Sequence, residues 1–213
     1  MQGQDNIISF SGGSFRRSAL TLDAKAQRTV GECRDIISST LPKLMVELFE
    51  QLDDSLYELA DKSLNNALQS SYFDGMRVLR KERLRIDTEF TQQVLVVFDH
   101  FWETGHVETT KHSLSELNQD SEMELLDNEE LEDSLAVTNM VSKSENRYAR
   151  ERFALTQRFF YLISGGQQDS ASVAEASPLE PAVICNAFQA AMRDVGIELP
   201  VKLIVYKHFE KHV

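Results

Sequence analysis

Glycine and proline are scarce: the 213 residues include 9 Gly and 4 Pro. Every Pro lies between helix-like runs or at the start of one, so turn punctuation is sparse. That excludes a fold of many short strands and favours long helices. Cysteine is scarcer still. Cys33 and Cys185 show no CxxC spacing and sit in helical patterns, which excludes a disulfide framework and fits a reducing cytoplasm. The opening Met1-Gln2-Gly3-Gln4-Asp5 lacks the basic and then apolar start of a secretory signal. The most apolar run, Val94–Phe98, is far too short to span a bilayer. A cytoplasmic protein without membrane insertion is expected.

Basic residues are missing from one region altogether. Between Glu116 and Asp133 there are nine acids and no Lys or Arg, and the remaining 25 acids nearly balance 22 bases. The formal charge of −12 therefore comes mostly from this stretch. A nucleic-acid binder needs clustered positive charge to replace condensed counterions, so nucleic acid is not an expected partner.

What is present is helical periodicity. Residues 1–20 have none, carry Gly12-Gly13 and are read as a disordered tail. Asp23 suits an N-cap for a helix to about Ser39. Pro42 is expected to break or kink it and to open a second helix through Leu44, Leu48 and Leu52. Asp53-Asp54 reads as the start of a third helix, through Leu56, Leu59, Ala60, Leu64 and Ala67. A long helix from near Ser70 to Trp102 shows the clearest stripe: Met76, Leu79, Arg83, Ile86, Phe90, Val94, Val97, Phe101. Residues 105–127 form an acidic linker, long for a connection within a domain.

A second long helix is expected from near Asn128 to Ser164-Gly165-Gly166, with a core face of Val137, Val141, Tyr148, Leu155, Phe159 and Leu162. A shorter helix follows from about Ala182 to Val195, and Pro200 opens a last one, which has no stop signal. The expectation is an all-α, irregular bundle of about five to seven helices, two of them long. It divides into an N-terminal helical region (21–104), the linker (105–127) and a C-terminal helical region (128–213) continuing past residue 213. No repeat of fixed period or sustained heptad is present.

Few residues suggest chemistry. Arg77, Arg80, Lys81 and Arg85 form a basic run that could hold a phosphate-bearing ligand or an acidic segment, or be ordinary solvated and paired charge. Arg83 falls on the apolar stripe, and a buried guanidinium needs carboxylates. Asp53, Asp54 and Asp61 are the natural partners for a polar lock between two helices. The middle of the second long helix, Ser142–Arg152, is nearly all polar, so Glu145, Arg147 and Arg150 are expected on a solvent- or partner-facing surface. The acidic stretch, with Met123, Leu125 and Leu126, could dock on a basic surface, fold back on the arginine run, or simply solvate the chain.

His208 and His212 are one helical turn apart, but Glu210 is one residue off either zinc-protease pattern, and they read as exposed histidines near a terminus. The Gly-Gly pairs lack the strand and helix of a phosphate-binding loop, and there is no GxSxG elbow. No catalytic residue, metal ligand or cofactor is assigned.

Several phrases carry a resemblance. They are DDSLYELADKSLNNALQSSYFDGMRVLRKER (53–83), ELEDSLAVTNMVSKSENRYARE, LTQRFFYLISGG, PLEPAVICNAFQAAM and VKLIVYKHFEKHV. From about residue 40 onward the chain resembles a bacterial family of unknown function, domain of unknown function 1631, near the N-terminal end of its longer members. The resemblance implies no activity that transfers residue by residue. Some members carry the label thymidine phosphorylase, to which no nucleoside site corresponds here. A link to cyclic-dinucleotide signalling would call for a paired-arginine RxxxR motif, and this sequence has none. The residues favour a non-enzymatic scaffold or regulatory module that binds another protein, with self-association a further possibility. The alternative is a sensor for a phosphate-containing messenger on the arginine-rich helix.

Overall fold

A computed structural model of the chain describes residues 22–107, 128–164 and 177–213. The expected tail and nearly all of the acidic linker lie outside the described residues. Among the described residues are six α-helices and no strand: α1 (Ala24–Lys62), α2 (Asn66–Thr104), α3 (Asn128–Arg147), α4 (Ala149–Ser164), α5 (Pro181–Met192) and α6 (Leu199–His212). The all-α expectation holds, but the two long helices are α1 and α2, each of 39 residues.

Asp23 caps α1, its carboxylate accepting the Ala26 N–H at 2.6 Å. Contrary to the sequence expectation, Pro42 lies inside this helix, and the three short helices foreseen are one that ends at Lys62, leaving Leu64 in a turn and Ala67 in α2. An interior proline costs about 3 kcal/mol. Leu41, Met45, Leu48, Phe49, Leu52 and Leu56 are all buried around it on one continuous face. At about 1.5–3 kcal/mol each, that burial outweighs the missing hydrogen bond. Asp53 and Asp54 are consequently mid-helix residues and cap nothing.

The turn to α2 takes only Ser63, Leu64 and Asn65, and the Asn65 side-chain Oδ1 caps α2 by accepting the Ala67 N–H at 2.9 Å. Gly105 closes α2 in the left-handed conformation (φ 76°), its N–H donating to the Phe101 carbonyl at 2.7 Å. The stripe of α2 is buried at Met76, Leu79, Ile86, Phe90 and Val94. It then passes to Phe98, Phe101 and Trp102 instead of Val97, because 3.6 residues per turn carries the face past a strict repeat of seven.

The single helix expected over 128–164 is interrupted at Tyr148, though the chain stays hydrogen-bonded through it. The Tyr148 N–H donates to Ser144, and the Arg152 N–H donates to the Tyr148 carbonyl. α3 and α4 thus run end to end. Tyr148, expected on the core face, is exposed, and Met140 is buried instead. Pro181 and Pro200 occupy the first turns of α5 and α6, where no amide hydrogen is needed.

The main core draws on α1, α2, α3, α5 and α6. Its centre is aromatic: Phe188 of α5 stacks on Phe209 of α6 at 3.8 Å, and Phe90 of α2 meets both edge-on at 5.8 and 5.4 Å. A second cluster forms where α2 ends. Phe98, Phe101 and Trp102 pack on Phe159 of α4, with Val30, Cys33 and Ile37 of α1, Leu155, Leu162 and Val107 around them.

Candidate functional site

The basic run of α2 is consumed within the protein. Arg77 pairs with Asp74 (3.1 Å), and Arg85 holds Glu82 (2.8 Å) and Glu89 (2.7 Å) along its own helix. Hydrogen bonding to Glu82 and then to Glu89 raises the Arg85 guanidinium above its usual range, and the same bond from Arg85 lowers the Glu82 carboxyl. Arg80 reaches across to Asp53 of α1 at 2.9 Å. An α1–α2 ion pair is present, but it is a surface pair made by Arg80 and not the buried Arg83 lock expected. Arg83 is half-buried; it donates weakly to the Val46 carbonyl (3.4 Å) and lies over the Phe49 ring at 5.5 Å. The carboxylate its charge acts on is Asp87, four residues along α2, while Asp54 and Asp61 stand exposed. Like Arg83, Lys81 makes no ion pair among the described residues.

A polar node that the sequence reading missed joins α3 to α5 and α6. The Asp133 carboxylate accepts from Lys202 Nζ, Gln189 Nε2 and the Tyr206 hydroxyl, each at 2.8 Å. Its side chain is 14% exposed and that of Lys202 18%. Burial pushes the Asp133 carboxyl up, but the three donors outweigh it and hold it below the ordinary carboxylate range. Burial and the neighbouring carboxylate push the Tyr206 hydroxyl far up. Asp133 had been counted as the last acid of a solvating stretch. The signal that finds it is spacing: Asp133, Val137 and Met140 fall on one helical face, and that face is the buried one.

The polar middle of the α3–α4 rod divides in two. Arg152 turns inward, where the Glu180 carboxylate clamps it and Glu145 lies at 4.0 Å. Glu145, expected on the partner-facing surface, is therefore half-buried and serves this internal contact. Arg147 and Arg150 are exposed as expected, Arg147 over the Tyr148 ring at 5.4 Å. On the same outer surface Phe153 is 68% and Tyr161 66% exposed. Arg150, Phe153, Gln157 and Tyr161 recur at steps of three and four and so share one face of α4. Neither Arg150 nor the nearby Arg158 makes an ion pair among the described residues.

His208 and His212 are not the exposed pair expected. Both are half-buried, with rings parallel (8°) and 5.9 Å apart. Burial, then His212 and the neighbouring lysines, lowers the His208 pKa. Nδ1 of His208 and Nε2 of His212 are out of solvent with no hydrogen-bond partner among the described residues. Among the described residues no three His, Cys, Asp or Glu side chains converge as metal ligands. Cys185 is buried, and its thiol is pushed up to about 12 by burial and by Glu210 and Glu145. A depression bordered by Glu89, Gln92, Gln93, Val96 and Val97 lies on the surface of α2 alone. Among the described residues, no helix is long and apolar enough to cross a membrane.

Comparison with known families decides the relationship. The model for the N-terminal domain of a protein of unknown function, DUF1631, matches residues 25–213. The chain belongs to the DUF1631 family. The matched range takes in all six helices but for the first residue of α1. No curated protein and no solved structure matches the chain.

Proposed function

We propose that this DUF1631 domain is a non-enzymatic helical scaffold or regulatory module of a larger bacterial protein, and that it binds another protein in the cytoplasm. The outer face of α4 carries the reading. Two aromatic side chains, each about two-thirds exposed, stand beside Arg150 on a helix whose opposite side is anchored by Phe159. Aromatic and arginine side chains are the groups that most often anchor protein interfaces. Two free cysteines, one of them buried, suit a reducing compartment. The family model is that of an N-terminal domain, in keeping with a longer protein. A messenger sensor on α2 has less to support it, because Arg77, Arg80 and Arg85 are already paired and Arg83 lies on Phe49.

The test is affinity isolation from native bacterial lysate with the chain and with its Phe153→Glu/Tyr161→Glu variant, both first verified as folded by circular dichroism. A stoichiometric partner held by the first and lost by the second supports the reading. A partner retained by both moves the contact off α4, and no partner with either bait counts against an interaction module.

A further inference from the structure

We propose that the outer face of α4 is a docking site for an acidic peptide segment with aliphatic anchors, supplied by a partner protein. This rests on the interaction-module reading and names the chemistry of its partner. The argument is charge complementarity beside unpartnered apolar surface. Of the eleven arginines among the described residues, five are spent internally: Arg34 on Asp99, Arg77 on Asp74, Arg80 on Asp53, Arg85 on Glu82 and Glu89, Arg152 on Glu180. Three of the other six lie together on the exposed surface around the α3–α4 junction. Arg147, Arg150 and Arg158 make no ion pair among the described residues, and Glu151 is the only acid exposed between Arg147 and Ser164. A local excess of positive charge on a chain of net charge −12 is a place where an anionic ligand gains and a cationic one is repelled.

Phe153 and Tyr161 set the remainder of the requirement. Eight residues apart on one helix, they stand about 12 Å from each other, with Arg150 and Gln157 on the same face. A ligand covering them must bring apolar side chains at that separation as well as carboxylates. An acidic amphipathic helix does so through anchors at i and i+7. Nucleic acid is disfavoured, since three arginines on an acidic chain replace few counterions.

A labelled peptide copying residues 114–127 (LSELNQDSEMELLD) supplies the required chemistry as a probe. Its binding is read by fluorescence anisotropy against the whole chain, Arg150→Glu/Arg158→Glu and Phe153→Ala/Tyr161→Ala, all checked for unchanged helicity. Binding that weakens about tenfold or more in both variants, and also weakens with added salt, is expected. Failure of the arginine variant alone to weaken binding, or equal binding of a Gln-substituted peptide, refutes the acidic partner and leaves the interaction face standing. Indifference to both variants refutes the face as well.

Two further outcomes would overturn the assignment to a partner. One is binding seen only after Glu116, Asp120, Glu122, Glu124 and Asp127 of the chain are changed to Gln or Asn, which makes the chain's own stretch the occupant. The other is tighter binding of an oligothymidylate than of the peptide. Neutralisation is used here because deletion of the stretch is not a clean perturbation. Val107 packs on the cluster that contains Phe159, and Asp133 packs on Lys202 and Tyr206.

Discussion

Gly75→Ala pits two effects of opposite sign against each other. Alanine is the better helix former by about 1 kcal/mol, and Gly75 is in the interior of α2. On propensity alone the substitution stabilises. A Cβ at this position, however, would sit 2.7 Å from Cγ1 and 3.0 Å from Cγ2 of Val201. Val201 is fully buried in the main core, so its methyls have nowhere to go, and α6 itself would have to shift. Overpacking of this kind costs about 1–3 kcal/mol. A net destabilisation of up to about 2 kcal/mol follows, or up to roughly 8 °C in Tm for a chain of this size. Denaturant unfolding of the wild type, Gly75→Ala, Val201→Ala and the double variant reads it out. The double variant should be more stable than the two single losses imply, with a coupling of about 1 kcal/mol or more. A Gly75→Ala protein more stable than the wild type by the full propensity gain of about 1 kcal/mol, or strict additivity in the cycle, refutes the close approach of α2 and α6.

Asp133→Ala strands Lys202, Gln189 and Tyr206 and should cost about 2–4 kcal/mol, less than in a wholly dry site because some solvent reaches the pair. Because the folded Asp133 carboxyl titrates below its unfolded value of about 3.9, its stabilisation is present above that pH. It is lost as pH falls further, so acid unfolding of Asp133→Asn should be shallower below pH ~4. His208 has the opposite starting state: neutral in both forms at alkaline pH, it takes its proton less readily when folded. Stability should fall as pH drops through the ordinary value of 6.5, and His208→Gln should flatten that limb of the denaturation profile. Pro42→Ala restores a missing hydrogen bond within α1 and should raise stability by about 1–3 kcal/mol. A loss instead would mean that α1 is shaped around the proline.

The helical identity of the chain is legible because it is local. Asp23 as a cap, prolines at the first turns of the last two helices and apolar residues at steps of three and four all act within a turn or two of themselves. Where the reading went astray, a distant residue decided. Pro42 suggests a break to anyone reading α1 alone, but the face spanning Leu41 to Leu56 is packed against α2 and α6, and that packing overrides the propensity. Arg83 suggests a salt bridge because it interrupts an apolar stripe, whereas a flat guanidinium over the Phe49 ring satisfies the same position. The exposed arginines at 147 and 150 were visible as part of a polar run. Their relation to Phe153 and Tyr161 was not, because exposure of an aromatic depends on what covers it.

The sequence by itself determined that this protein is all-α, where most of its helices begin, that its negative charge is concentrated in one stretch and which family it resembles. Those properties are sums over neighbouring residues or matches of contiguous phrases. Only the tertiary structure decided which charges are spent. Asp53 answers Arg80, Asp133 answers Lys202, and Glu180 answers Arg152. Ion pairing falls steeply with distance, and distance between residues far apart in the chain is set by how the helices pack.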